Sequence, residues 1–215
     1  DDGEPVIDAP FRFIIEQANG TLVHLRPGKM QFMSRSPSFV TWEVRNTSDA
    51  CDVICTGRME YDGFVDYHLT VKAKKTLPVK DIRLEVDMNK KKAAYMMGLN
   101  RSGGICPDRW DWKWDTARNQ DDLWLGAVNG GLRFKWKGDN YVSPLVNVYY
   151  TFGRLQLPPS WGNKGNGGVD VSRKENSLMV NAYSGNRIMK KGEEQHYNFE
   201  LLITPFKTIS KSVQF

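Results

Sequence analysis

A strict alternation of apolar and polar residues constrains this chain more than any other feature. Between residues 64 and 73, apolar side chains occupy every second position, at Val65, Tyr67, Leu69, Val71 and Ala73. Ile82, Leu84, Val86 and Met88 repeat the same spacing. Because successive side chains of a strand point to opposite faces, this period of two predicts antiparallel strands that are buried on one face only.

The rest of the chain follows the same period, in short segments separated by glycine, proline and asparagine. No window longer than about ten residues has the period of a helix. Twelve or more short strands at this spacing are typical of an all-β fold, and we predict a large antiparallel β-sandwich, similar to a supersandwich. Residues 1–10 are predicted to be a loose lead-in, 11–207 a single sandwich domain, and 208–215 an exit segment toward a C-terminal domain that this chain lacks.

Three local predictions can be compared with the structure. Asn19-Gly20 predicts a hairpin that joins residues 11–17 to residues 21–26. Residues 93–99 are compatible with a strand or a short helix. Residues 157–168 combine two prolines with many glycines and asparagines, which predicts an irregular loop.

Charge and cysteine content exclude several classes of protein. The 30 basic and 25 acidic residues give a net charge of +5, and the lysine clusters at 72–75 and 90–92 fall at strand ends, so we predict no nucleic-acid binding. Three cysteines are too few for a disulfide scaffold. Cys51 and Cys55 could pair only if a turn brings them together, because four residues of one extended strand hold them too far apart. No segment predicts a membrane span.

Tryptophan is concentrated in the middle of the chain, where five of the seven residues fall between positions 108 and 150. If residues 109–115 are extended, Trp110, Trp112 and Trp114 line one side of that strand. With Trp161, these residues are our candidates for a carbohydrate-binding surface or a domain interface, because indole rings suit both. The alternative is that the rings fill the core.

Carboxylates do not form a pattern that predicts catalysis or metal binding. Glu60, Asp62 and Asp66 are close in sequence, but no spacing singles out an acid–base pair, and we assign no catalytic residue. An acidic run could bind calcium, although it lacks the pattern of an EF-hand; its members are Asp108, Asp111, Asp115, Asp121 and Asp122. We therefore predict no cofactor and no resident metal, with calcium as the open alternative.

Three segments, in this order, carry a resemblance to a known family: DLWLG at 122–126, NYVSPLVNVYY at 140–150 and LPPSWGN at 157–163. They resemble the β-sandwich domain that precedes the barrel in large bacterial glycoside hydrolases broadly similar to family 123. The segment LLITPFK at 201–207 resembles the exit toward the (β/α)₈ barrel in such enzymes. The resemblance covers most of the chain from about residue 50 onward.

The resemblance implies a non-catalytic domain that buttresses a catalytic barrel of the same polypeptide and shapes its substrate cleft. It places no catalytic residue on this chain, and it implies a secreted, periplasmic or cell-surface bacterial protein. Two alternatives are a stand-alone carbohydrate-binding module and a small glycan-active enzyme complete in this chain. An exposed apolar patch without a groove would favour the scaffold role. Exposed coplanar indoles would favour the binding module, and a deep pocket with converging acids would favour the enzyme.

Overall fold

The alternating segments form β-strands, as predicted. The computed structural model describes residues 5–114, 120–138 and 158–204. The strands, in chain order, are β1 (Arg12–Gln17), β2 (Gln31–Arg35), β3 (Phe39–Thr47), β4 (Cys51–Glu60), β5 (Phe64–Ala73), β6 (Leu77–Asn89), β7 (Tyr95–Gly98), β8 (Arg109–Lys113), β9 (Asp122–Ala127), β10 (Gly130–Lys137), β11 (Gly168–Arg173), β12 (Ser177–Tyr183), β13 (Arg187–Met189), β14 (Glu194–His196) and β15 (Asn198–Thr204). One turn of α-helix, α1, spans Pro159–Gly162.

The strands form two antiparallel sheets, which confirms the predicted all-β sandwich. A six-stranded sheet has the order β1-β6-β12-β11-β8, with β13 pairing with β6. A nine-stranded sheet has the order β2-β3-β4-β5-β15-β10-β9-β7, with β14 pairing with β5. The two most regular strands of the sequence, β5 and β6, thus belong to different sheets, and their apolar sides meet in one core.

The larger sheet extends beyond the smaller one at its β2 end. Residues of β4 and β5 alternate between buried and less buried positions, as expected for a covered sheet. In β3 no residue is fully buried, and in β2 all five are exposed. The six-stranded sheet therefore leaves β2 uncovered, whereas β3 is partly buried and its Trp42 packs against the core.

Three local predictions need correction. The Asn19-Gly20 turn is present and the chain returns along β1, where Leu22 bridges to Glu16 and the Val23 amide donates to the Ile15 carbonyl at 2.8 Å, but residues 21–26 do not form a continuous strand. The lead-in is not loose in its described part, since Ile7 bridges to Met88 and the Asp8 amide donates to the Asp87 carbonyl at 2.9 Å.

The third correction concerns residues 157–168, which are not wholly irregular. The described part contains α1 and then a short 3₁₀ turn over Asn163–Gly165. Proline at the start of α1 is well placed, because its missing N–H has no intrahelical partner there. Residues 93–99 include a strand rather than a helix. Asp115, the segment at 140–150 and the predicted exit segment at 208–215 lie outside the described residues.

Candidate functional site

The predicted row of tryptophans forms, but it faces the core. Trp112 and Trp114 are only 5% and 6% exposed, and Trp110 is half-buried with its Nε1 donating to the Leu99 carbonyl at 3.1 Å. Asp111 and Lys113 occupy the opposite, exposed side of β8. The alternation along β8 is therefore as predicted, and the core interpretation applies to Trp112 and Trp114.

Trp161 lies in the core as well. Its side chain has no exposed surface, its Nε1 donates to the Asn198 carbonyl at 2.9 Å, and its ring meets Tyr197 edge-on at 4.9 Å. A sugar or a neighbouring domain needs an accessible ring face, which Trp112, Trp114 and Trp161 do not offer. This corrects the set of candidate binding residues.

The predicted acidic run is dispersed by the fold. Asp108 pairs with Arg173 at 3.3 Å, and Asp111 pairs with Arg109 at 3.1 Å. Asp121 lies 3.5 Å from the Lys135 ammonium, and Asp122 accepts two bonds from the Arg133 guanidinium. Within residues 5–114, 120–138 and 158–204, no three histidine, cysteine or acidic side chains converge on a point where a metal could bind.

The carboxylates near β4 and β5 also take structural partners. Asp66 lies on the outer side of the nine-stranded sheet, 2.9 Å from the Lys137 ammonium and 3.1 Å from His68 Nε2. Lys137 also binds Glu200 at 2.7 Å, and these charges raise the pKa of its ammonium against the opposing effect of burial. Glu60 pairs with Arg58 at 2.9 Å, and Asp62 accepts from the Phe64 amide in the turn. These groups serve an ion-pair network and a turn.

A cavity of about 750 Å³ opens between the two sheets beside the lead-in segment. Its wall is mainly apolar and aromatic, with Phe13 and Leu84 from one sheet and Tyr67 and Phe199 from the other. The Tyr67 and Phe199 rings stack at 4.8 Å. Asp8 is the one carboxylate among its lining residues, whereas glycoside hydrolysis requires two. The cavity thus lacks the converging acids that would favour a complete enzyme.

Cys55 lines this cavity but is a poor nucleophile. Burial raises the pKa of its thiol to about 11, so the thiolate is scarce at neutral pH. Burial likewise raises the pKa of the Tyr67 phenol, with a smaller contribution from Cys55. Both groups are protonated near pH 7, and they offer a ligand hydrogen bonds rather than covalent chemistry.

A half-buried indole that was not among the predicted candidates, Trp124, lies on the outer side of β9. Trp124 lies between the inward-pointing Leu123 and Leu125, and its ring spreads over the cross-strand pair Gly126 and Gly131. A Cβ at Gly126 would lie 2.3 Å from Trp124 Cζ2, so the close approach of the ring requires glycine. Alternation between two buried leucines was the sequence pattern that could have identified this residue.

A hollow of about 420 Å³ adjoins the Trp124 ring. Tyr95 and Met97 of β7 line it, with Val128 from the β9–β10 turn and the bare backbone of Gly103 and Gly104. Tyr95 is 41% exposed and pairs with Gly126, so its side chain lies on the same side of the sheet as Trp124. The wall of the hollow therefore contains one exposed ring, that of Tyr95, and one half-buried ring, that of Trp124.

A second accessible apolar surface lies at the opposite end of the nine-stranded sheet. We call it the β2 surface and define it by Met30, Phe32, Met33 and Met59, which are 48%, 45%, 67% and 41% exposed. β2 is the last strand in the order of this sheet, so one of its edges has no neighbouring strand within the described residues. The β2 surface thus consists of exposed apolar side chains on β2, on β4 and directly before β2.

Comparisons with known proteins agree with this architecture. No curated protein matches the chain. Among solved structures, the Slr1438 protein from Synechocystis aligns with a TM-score of 0.50 at 7% identity, over 94% of this chain and 85% of that one. At this identity the likeness shows the fold alone.

Two further structures give lower scores. Heparan sulfate lyase HepC from Pedobacter heparinus has a TM-score of 0.45 at 8% identity, and this chain covers 24% of its length with 92% of its own residues. A GalM/aldose epimerase homologue from C. elegans has a TM-score of 0.47 at 9% identity, over 88% of this chain and 78% of that one. This chain thus spans about a quarter of the lyase.

The family described as glycoside hydrolase 123, third domain, matches residues 1–205. That description counts the domain as one of several in its polypeptide, which agrees with the predicted accessory role beside other domains. Along the described residues, no helix is long and apolar enough to cross a membrane. Because the match extends over nearly the entire sequence, the chain belongs to the family of the third domain of glycoside hydrolase 123.

Proposed function

We propose that this domain is a non-catalytic scaffold that packs through the β2 surface against the (β/α)₈ barrel of a glycoside hydrolase. The exposure of β2 is the observation that carries the proposal. All five residues of that strand are exposed, and two of them, Phe32 and Met33, are large and apolar. Soluble proteins seldom leave an apolar edge strand of a sheet open to water, because it invites pairing with other chains.

The environment of β2 supports a protein partner rather than a small ligand. A bulge between Phe32 and Ser34 interrupts the pairing of β2 with β3, and the Arg35 guanidinium lies 3.9 Å from the centre of the Phe32 ring. Behind β2, Trp42 covers Gly57 and meets Tyr67 at 5.8 Å, which continues the apolar surface toward the core. Exposed apolar side chains beside a partly buried aromatic residue suit a contact with another domain.

The barrel would supply the chemistry. The candidate carboxylates at 60–66 and 108–122 that the structure describes form ion pairs or a turn, and the cavity between the sheets has one acid in its wall, so catalysis is assigned to another domain of the polypeptide. A domain fixed at the rim of a barrel also restricts the space in which substrate lies. Loss of this contact should therefore change KM as well as stability. Location outside the cytoplasm remains a prediction, which cell fractionation would test.

The experiment compares variants of the full-length polypeptide. Phe32→Asp with Met33→Lys should separate this domain from the barrel, because it places charges in an apolar contact. We expect the thermal unfolding transition to split in two by calorimetry, and kcat/KM for a glycan substrate to fall several-fold. Ile188→Lys is the matched control, since Ile188 is 68% exposed on the other sheet. Identical behaviour of both variants and the parent would contradict docking through β2.

A second experiment tests whether this domain is non-catalytic. This chain is produced alone, and circular dichroism is used to check that it is folded. It should release no reducing sugar from any substrate that the full polypeptide hydrolyses. Turnover by the isolated chain would overturn the scaffold role and would direct attention back to the cavity beside Asp8.

A further inference from the structure

We propose that the cavity between the two sheets is a binding site for a neutral, mainly apolar small molecule that carries a hydrogen-bond-accepting oxygen. The cavity opens beside β1, the end strand of the six-stranded sheet, and its other wall comes from β3, β4, β5 and β15 of the nine-stranded sheet. None of the four residues that define the β2 surface lines it. The proposal therefore does not depend on the scaffold role.

One wall of the cavity is the lead-in segment, which belongs to this chain's own fold. Residues 7–11 of that segment line the cavity and are held beside β6. The Asp8 amide donates to the Asp87 carbonyl at 2.9 Å, and the Asn89 amide donates to the Val6 carbonyl at 3.0 Å. This wall is thus formed without a contribution from a second domain.

Aromatic rings form much of the remaining wall, and they are held by one another. The Tyr67 ring stacks on Phe199 at 4.8 Å and meets Trp42 edge-on at 5.8 Å. Phe13, on the opposite sheet, meets Tyr197 edge-on at 5.6 Å. Rings that are already fixed need little further ordering when a ligand binds, which favours affinity. A volume of about 750 Å³ and a mainly apolar, aromatic wall are typical of sites for small molecules.

Three polar side chains in the wall can donate a hydrogen bond to a ligand. The Tyr67 hydroxyl and the Cys55 thiol are protonated near pH 7, and neither has a hydrogen-bond partner among the described residues. Asn46 Oδ1 accepts from the Gly28 amide at 2.9 Å, so its Nδ2 is the end that remains for a ligand. A hydroxyl is a stronger donor than a thiol, and we assign the Tyr67 hydroxyl to the ligand oxygen.

The charge of the wall favours a neutral ligand. No lysine, arginine or histidine is among the described lining residues, and the exposed Asp8 is the one charged residue there. An anion that entered this site would lose its hydration without gaining a counter-charge. Of the three polar groups, only the Tyr67 oxygen is a good acceptor, so a cation is poorly matched as well.

An apolar side chain from another domain is the competing occupant of the cavity. Such a side chain would shield the Tyr67 hydroxyl and the Asn46 amide from water and offer them no acceptor. A buried donor without a partner is unfavourable, whereas a ligand oxygen would satisfy at least one of these groups. The unpartnered donors therefore favour a small molecule with an acceptor over an apolar side chain.

Equilibrium dialysis of this chain against three probes of similar size tests the proposal. The probes are 2-acetylnaphthalene, which is neutral and has one acceptor oxygen, naphthalene, which has none, and the anion 2-naphthoate. We expect 2-acetylnaphthalene to bind saturably at one site per chain. It should bind about 5-fold more tightly than naphthalene, because it gains one hydrogen bond. It should bind at least about 10-fold more tightly than 2-naphthoate, because the anion is desolvated without a counter-charge.

Tyr67→Phe tests the assigned donor. It keeps the ring and removes the hydroxyl, so it should weaken 2-acetylnaphthalene by about 5-fold and leave the affinity for naphthalene unchanged. Tyr95→Phe is the matched control, since Tyr95 is an exposed phenol that does not line this cavity. It should bind all three probes as the parent does.

Two further variants test the location of the site. Ala9→Trp fills the cavity from the lead-in segment, and Cys55→Phe fills it from β4; each should prevent binding of both neutral probes. Circular dichroism checks that each variant is folded, and either variant suffices if the other unfolds.

Four results would each overturn the proposal. In the first, 2-acetylnaphthalene does not bind saturably, and in the second, 2-naphthoate binds as tightly as 2-acetylnaphthalene. In the third, a folded cavity-filling variant or Tyr67→Phe binds 2-acetylnaphthalene as the parent does. In the fourth, the probe binds this chain but not the full-length polypeptide, which would mean that another domain fills the cavity. All four leave the test of the β2 surface unaffected.

Discussion

Trp124 Nε1 donates to Thr204 Oγ1 at 2.9 Å and ties the outer side of β9 to β15 across the intervening strand β10. Thr204→Val keeps the shape of the side chain and removes the acceptor. Because the indole is half-buried, loss of this one bond should lower the free energy of unfolding by about 1 kcal/mol. The ring would also become less ordered, and we expect lower tryptophan fluorescence anisotropy.

Chemical denaturation of the parent and of Thr204→Val measures the difference in their free energies of unfolding. Thr204→Ser is the matched control because it retains the hydroxyl. If Thr204→Ser is as unstable as Thr204→Val, the hydrogen bond is not the cause.

Gly57 and Trp42 form a similar contact on the inner side of the sheet. A Cβ at position 57 would lie 2.2 Å from Trp42 Cζ2, so Gly57→Ala should displace the indole and destabilise the fold by about 1–3 kcal/mol. A double-mutant cycle with Trp42→Ala separates this clash from the intrinsic strand preference of alanine. We expect Gly57→Ala to lower the free energy of unfolding far less in the Trp42→Ala background than in the parent. An equal cost in both backgrounds would show that the ring is not responsible.

The alternation of apolar and polar residues predicted the strands and which side chains of each strand share a face. It did so because successive side chains of a strand point to opposite faces, so that buried positions recur every second residue. It also placed Trp110, Trp112 and Trp114 on one side of β8 correctly. Which side of a strand faces water depends on the partner sheet, which is distant in sequence. For that reason the sequence alone left open whether these three rings, and that of Trp161, lie in the core or at the surface.

The aromatic residues outside the buried core depend on relationships that local patterns do not contain. Trp124 can lie across its sheet because Gly126 and Gly131, from two strands, lie beneath it. Phe32 is exposed because the six-stranded sheet ends before it covers β2. The assignment of β5 and β6 to different sheets is likewise set by long-range pairing, with β5 between β4 and β15 and β6 between β1 and β12.

Cys51 and Cys106 are buried and Cys55 is half-buried, which predicts slow thiol chemistry. Cys51, Cys55 and Cys106 are free, and burial raises the pKa of each thiol. At pH 7.5 a thiol reagent should label the native chain slowly and the unfolded chain quickly, at three sites per molecule. Gel mobility should not change on reduction, because Cys51 and Cys55 belong to one strand. Rapid labelling of native Cys55 would show that the cavity is open enough to solvate its thiolate.

Asp111 and Asp170 are directly opposite in the pairing of β8 with β11, and they predict a dependence of stability on pH. Burial and the neighbouring Asp111 carboxyl raise the pKa of Asp170 to about 6, while the bond from Arg109 lowers the pKa of Asp111. The folded state thus binds the Asp170 proton more tightly than the unfolded state does. Its stabilising contribution is complete below the ordinary aspartate pKa and is lost as pH rises through about 6.

Asp170→Asn should therefore stabilise the domain above pH 6, because it removes a like charge next to Asp111. Partial exposure screens the repulsion, so we expect a gain in Tm of about 1–3 °C at pH 8 that shrinks toward zero near pH 4. Asp49→Asn is the control, since its side chain is 92% exposed and makes one ion pair, to Arg26 at 3.4 Å. Thermal melts between pH 4 and pH 8 test the prediction. A gain that stays the same at every pH would mean that the two carboxyls do not share a proton and that the substitution acts through packing instead.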